Sequence, residues 1–320
     1  MKFINFTHKF INILKNLNFD FNLQKLPTFN IQFNHTPIVI PIFNDNKLIQ
    51  SNFLPNIIEQ DIITFPKILS FRIDNINFFI YGNKDKSHIS KIKKLLLSIS
   101  SINNFLRDIT KSDTKIINVS IYLSTFKKEI IGNDITPFNV NSGFTNNNTD
   151  IYIYREEEWT KVLIHELIHA YKFDNFQKTI SPFFPQSNDY IYEAITEFYA
   201  IILHSKWISH ITNISFSNII NYEIKFNIYQ NLKIIKHLNI YNKNDFINIP
   251  SKNINMKTSI FSYFIVKLEL LLNYNKYKNE LSKNILPNFN LKNFKIIQFF
   301  NLDITFDNNL RMSLFQIDLT

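Results

Sequence analysis

Apolar and polar residues alternate from Ser70 to Tyr81, through Phe71 and Ile73 and then Ile76, Phe78 and Ile80. A period of two broken at Asp74-Asn75 predicts a hairpin, and Gly82-Asn83 marks its far end. From His88 to Ile109 the period lengthens. Ile89, Ile92, Leu95, Leu96, Ile99, Ile102 and Leu106 then mark one face of a helix, with Lys91, Lys93 and Lys94 largely off it. His88 sits near its start, as a surface or capping group. Alternation returns at Ile117, Val119, Ile121 and Leu123, and again over Asp150–Tyr154, so both stretches read as strands. Ahead of these, residues 1–65 mix Asn, Phe and Ile with Pro27, Pro37, Pro41 and Pro55, which predicts short strands or an irregular collar.

The helical period resumes near Arg155 and runs to Ala170 without Pro or Gly, with Trp159, Val162, Leu163, Leu167 and Ile168 as its apolar side. Glu156, Glu157 and Glu158 fall in the expected first turn, where the positive end of the helix dipole favours carboxylates. A loop with Pro182 and Pro185 follows, and Tyr190–Leu203 reads as a second buried helix. Beyond Trp207 the periods are mostly helical, over Asn218–Leu238 and Thr258–Tyr274. From Phe294 the chain closes in strands or an irregular tail.

Candidate chemistry concentrates on the two central helices. His165-Glu166-Leu167-Ile168-His169 puts two imidazoles four residues apart, about 6 Å of rise, so both point the same way and can share one metal ion. Glu166 stands beside the first imidazole, where it can take the proton of a bound water. With 8 His in 320 residues, chance yields roughly 0.007 such boxes, so incidental histidines do not explain it. Glu193 and Glu197 share one face of the second helix. Asp174, in the loop, either orients His169 or serves as a cap or surface group. His204, His210 and His237 have no partner at ligand spacing and read as structural or surface residues.

Composition sharpens this reading. Ile, Asn, Lys and Phe crowd the chain, with 33 Phe and only 3 Gly, a bias of AT-rich codons. Against it the only alanines, Ala170, Ala194 and Ala200, stand beside the candidate ligands, where small side chains let helices approach closely. The charge of +9 comes from scattered lysines with no basic stripe, which argues against nucleic acid as a partner. The absence of Cys excludes disulfides and thiolate zinc sites. Lys2, His8, Lys9, Lys15 and Asp20 interrupt the first twenty residues, so no ordinary signal peptide is expected. No run is long and uncharged enough for a membrane span. The expectation is a soluble, cytoplasmic protein; its oligomeric state is not set by any of these features.

The His-Glu-Leu-Ile-His-Ala box followed by Glu193-Ala-Ile-Thr-Glu197 resembles the gluzincin class of zinc metallopeptidases. That resemblance implies one zinc ion held by His165, His169 and Glu193, with Glu197 bonded to an imidazole N–H. It implies hydrolysis of protein or peptide substrates by a zinc-bound water, with Glu166 as general base. The metzincin pattern fails, because Lys172 and Asn175 stand where it wants Gly and a third His. Asn141-Ser-Gly-Phe-Thr145, Ile151-Tyr-Ile-Tyr-Arg-Glu-Glu-Glu-Trp159 and the His box are more closely similar to predicted metallopeptidases of large DNA viruses of eukaryotes. This likeness covers roughly residues 115–205 and implies expression in the host cytoplasm or virion and a part in processing virion proteins.

The expected fold is therefore α+β. A zincin-like catalytic core with a mixed sheet, a metal-binding helix and a glutamate helix would span residues 66–208, after a collar at 1–65. A mainly helical part would occupy 209–320. In zincins the strand nearest the cleft adds the substrate as an extra strand, which assigns that role to Asn139–Thr145 and substrate contact to Asn141, Ser142, Gly143 and Phe144. Gly143 fits a close approach of the peptide, or an ordinary bend. Tyr263 is the candidate donor to the transition state, with a packed core tyrosine as its plainer reading. A different class of function also fits: a binding or virion structural protein keeping the zincin scaffold without turnover.

Overall fold

A computed structural model of the chain describes residues 26–42, 54–132, 134–177, 179–184, 188–251, 257–302, 304 and 306–317. The charged residues of the first twenty positions and Pro185 lie outside these. Six strands form one sheet: β1 (Val39–Pro41), β2 (Lys67–Ile73), β3 (Ile76–Tyr81), β4 (Ile117–Tyr122), β5 (Gly143–Asn146) and β6 (Asp150–Ile153). Their order is β1-β2-β3-β4-β6-β5. The β3–β4 and β4–β6 pairs are parallel and the rest antiparallel, so the sheet is mixed and the class is α+β. The hairpin expected from Ser70 to Tyr81 is the β2–β3 pair, turning at Asp74 with a φ of 51°.

Alternation sorts the strand residues into two faces. Ile76, Phe78, Ile80, Ile117, Val119, Ile121, Ile151 and Ile153 enter the main core. Phe79, Tyr81, Tyr122, Phe144, Tyr152 and Tyr154 point the other way, into a smaller cluster closed by Ile58 and Ile62 of α1 (Asn56–Ile62). Helix α2 (Lys86–Ile109) makes the crossover from β3 to parallel β4. Its N-cap Asp85 accepts the His88 N–H at 3.0 Å, so His88 lies in the capping turn.

The stretch Asn139–Thr145 is not a single strand. Asn139 and Val140 belong to a short helix, α3 (Pro137–Val140), because Pro137 sits at its first position and Asn139 Oδ1 accepts the Thr136 N–H at 2.7 Å. Only Gly143–Asn146 forms β5, at the edge of the sheet. It is paired with β6 on one side and, among the described residues, with no strand on the other.

The helix that carries the His165–His169 box, α4, spans Trp159–Ala170 and starts four residues later than expected. Glu158 adopts a left-handed conformation (φ 57°) that halts the helix. Glu157 and Glu158 are buried, which overturns the helix-dipole reading. Glu158 pairs with Lys128 at 2.9 Å and accepts the Met312 and Ser313 N–H groups, so it ties the closing tail to the base of α4. Glu157 accepts the Lys128 N–H at 2.6 Å, and Glu156 pairs with Lys84. Arg155, with no exposed surface, donates to the carbonyls of Asn141, Lys127 and Phe138 and so fixes the loop leading into β5.

Helices α5 (Tyr192–Thr212), α6 (Phe216–His237), α7 (Lys243–Ile247) and α8 (Lys267–Ser282) pack the main core, whose residues run from Leu26 to Ile317. A π-helical turn, Ser262–Val266, leads into α8. The tail from Phe294 is irregular with short 3₁₀ turns. Among the described residues no helix is long and apolar enough to cross a membrane.

Candidate metal centre and cleft

Lys161, His165 and His169 recur every fourth residue along α4, and Glu193 and Glu197 do the same along α5. The contacts pair Lys161 and His165 with Glu197, and His165 and His169 with Glu193. Rising numbers on one helix meet falling numbers on the other, so the helices run antiparallel with these faces together. Ala170, Ala194 and Ala200 are fully buried around this contact.

Three donor atoms converge. The Nε2 atoms of His165 and His169 are 3.0 Å apart, and Glu193 Oε2 lies 3.5 and 3.6 Å from them. The glutamate distances are too long for good hydrogen bonds, and that buried oxygen has no hydrogen-bond partner among the described residues. Each imidazole is held from behind through its other nitrogen. His165 Nδ1 lies 2.7 Å from Glu197 Oε1, and His169 Nδ1 lies 2.6 Å from Asp174 Oδ2. A carboxylate within ion-pair reach of each Nδ1 favours a proton there and an inward-facing Nε2, although at His165 the geometry falls short of a hydrogen bond. Two lone pairs and a carboxylate oxygen facing one point repel unless a cation separates them. Donors at about 2.1 Å around a tetrahedral zinc sit roughly 3.4 Å apart, close to the separations found here. The residues fit such an ion.

Electrostatics agree. Burial opposes a charged imidazole at both histidines. The Glu197 and Glu193 carboxylates nevertheless hold His165 above its usual pKa, and Asp174 with Glu193 holds His169 well above it. Burial would raise Glu193 and Glu197 as well, yet His169 and Lys161 respectively bring both below the ordinary carboxylate range. The cluster calls for positive charge. Glu166 differs: burial dominates and raises it. Thr145 Oγ1 on β5 sits 2.8 Å from Glu166 Oε2, aiming the carboxylate at the cleft.

These groups open onto a cavity of about 300 Å³ lined on one side by Asn141, Gly143 and Thr145 and on the other by Tyr192, Glu193 and Tyr263. Tyr263 stands on the π-helical turn with its ring 6.4 Å from that of His165, and Tyr192 lies 6.1 Å from His169. Burial raises both phenols, so each keeps a proton to donate. Gly143 does border the cavity, but the need for glycine comes from the backbone of β6 and the helix behind it. An added Cβ would lie 2.8 Å from the Tyr152 carbonyl and 2.9 Å from Val162 Cγ1. The Phe144 ring is stacked on Tyr152 on the opposite face of the sheet, while the residue also borders the cavity. Ser142 is buried in a side recess beside Glu166.

Some of the site goes beyond the residues singled out in the sequence. Asp174 is settled as the partner of His169, and Thr196 Oγ1 donates to it at 2.6 Å. Lys161 lies on the same stripe as the two histidines, which was a readable signal. Lys267, 3.8 Å from Glu197, gave none, because tertiary packing alone brings it there. Thr145 and Tyr192 each flank a residue already singled out. His204 is buried against Trp207 and Thr160, and His210 stacks on Phe33, both away from the centre. Comparison of the chain with protein-family models, curated proteins and solved structures returns no match.

Proposed function

We propose that this chain is a zinc-dependent metallopeptidase of the zincin type, taking protein or peptide substrates as an extended strand along β5. The observation that carries the reading is the convergence of His165 Nε2, His169 Nε2 and Glu193 Oε2 at metal-ligand separations, with Glu166 beside them. Zinc held there supplies Lewis acidity, polarising a carbonyl and making a water easier to deprotonate. Glu166 accepts the proton of the attacking water and passes it to the leaving amine. Burial raises its pKa, which favours taking up the proton before it is passed on. Thr145 orients that carboxylate, while Tyr263 and Tyr192 offer donors to the developing oxyanion. The side of β5 with no strand partner among the described residues offers main-chain groups to a peptide. The sequence resemblance to viral enzymes adds processing of virion proteins as the setting.

Zinc analysis tests the metal centre. The purified chain should carry one equivalent per molecule, and Glu193→Ala should lose it. A wild-type protein that binds no zinc when metal is supplied overturns the proposal. A zinc-replete protein that cleaves nothing leaves the reading of a silent binding or structural protein.

A further inference from the structure

Beside Glu166 the cleft continues into a recess that the proposed chemistry does not use. Its volume is about 40 Å³, and it shares Gly143, His165, Glu166 and Tyr263 with the larger cavity. Val140, Val162 and Met312 supply its apolar walls. The recess is small beside the main cavity of about 300 Å³, so it suits a short side chain better than an isobutyl group or a ring.

The walls are pinned. The Met312 N–H donates to Glu158 at 2.9 Å, and its carbonyl accepts from Lys267 at 3.3 Å. Val162 is packed against Gly143, leaving no room for even a Cβ between them. Neither wall retreats without opening buried contacts. The lining lysines, Lys128 and Lys161, are already paired with Glu158 and Glu197, so the recess offers no free cation to an acidic side chain. Ser142 does offer something. It is 3% exposed, lines the recess, and its hydroxyl has no hydrogen-bond partner among the described residues.

Side chains of an extended peptide alternate in direction. A peptide lying along β5 with one carbonyl at Glu166 therefore turns a neighbouring side chain toward α4, where this recess opens. We infer that the recess receives the side chain next to the scissile bond and limits it to glycine, alanine or serine, with Met312 setting the limit and Ser142 meeting a serine hydroxyl. The inference rests on the peptidase reading. It makes a residue of the distant closing tail a determinant of specificity.

Digestion of a randomised peptide library by the zinc-loaded protein, with cut sites read by mass spectrometry, is the test. One position flanking the cut should favour Gly, Ala and Ser over Leu and Phe by about 10-fold or more. Met312→Ala should raise the Leu-to-Ala ratio at that position by about 10-fold, whereas Met312→Leu, of similar volume, should leave it nearly unchanged. Binding of a cut-site peptide carrying Ala or Leu there to zinc-loaded Glu166→Gln gives the same ratio without turnover. If Met312→Ala does not fold, Val162→Ala widens the recess from the other wall. Free acceptance of Leu and Phe on both sides of the cut, or a ratio unmoved by widening, overturns the recess and leaves the peptidase standing. Failure of the zinc-loaded protein to cut any peptide overturns the peptidase reading and this inference with it.

Discussion

Glu197 and Asp174 do the same job by different means. Each stands behind one imidazole, but Glu197 is flanked by Lys161 and Lys267 while Asp174 takes the Thr196 hydroxyl. Losing either removes the carboxylate that stands behind the imidazole and helps fix its orientation. Glu197→Ala and Asp174→Ala should each weaken zinc binding by about 10–100-fold, well short of the loss in Glu193→Ala. Zinc titration against a competing chelator measures this, and a Glu197→Ala loss equal to that of Glu193→Ala would place Glu197 on the metal itself. Both glutamates were legible because they lie four residues apart on one helical face. Asp174 was ambiguous because a loop residue's partner depends on how the loop folds back. The buried role of Glu157 and Glu158 could not be read, since the groups that Glu158 holds, Met312 and Ser313, lie some 150 residues away.

Between elements, the contact that matters is β5 against α4. Gly143 and Thr145 face the helix while Phe144 faces away, so alternation in one short strand sets both the close approach and the grip on Glu166. Gly143→Val would force the strand away from Val162 and the Tyr152 carbonyl. It should cost about 1–3 kcal/mol in stability and lower turnover, with zinc content kept. Denaturant melts beside zinc analysis test this; unchanged stability would mean that the strand has room the structure does not show. The importance of this glycine was readable from its rarity, whereas its reason was not. A peptide approaching from the open side and a helix packing from behind make the same demand on sequence. The boundary of β5 was blurred for a local reason, the Thr136-Pro137 start of a short helix within a stretch that otherwise reads as extended.

At the scale of the molecule, the strand pattern and the long helices α2 and α6 were legible because their periods are long and regular. Helix α5, buried along most of its length, instead runs on to Thr212, past the Leu203 expected as its end. The order in which the strands pair, and the tail's return to the base of α4, depend on contacts distant in sequence. A buried neutral histidine adds a pH signature to this packing. Burial lowers His204 to about 3, against an ordinary value of 6.5. Between these values the unfolded chain binds a proton that the folded one refuses, so stability falls as pH drops through the window. The stability difference between wild type and His204→Leu should therefore shift against the wild type by up to about 1.4 kcal/mol per pH unit from pH 6 to pH 4. A difference constant with pH would show that His204 is protonated in the folded state.

The claim that the His165, His169 and Glu193 cluster is a peptidase centre is tested most directly by one comparison. Zinc-loaded wild type and zinc-loaded Glu166→Gln digest the same peptide library, with zinc content measured in both. The account predicts equal zinc and cleavage lower by about 10²–10⁴-fold in the variant, because an amide cannot accept the proton of the attacking water. Equal cleavage by the two proteins at equal zinc would contradict it.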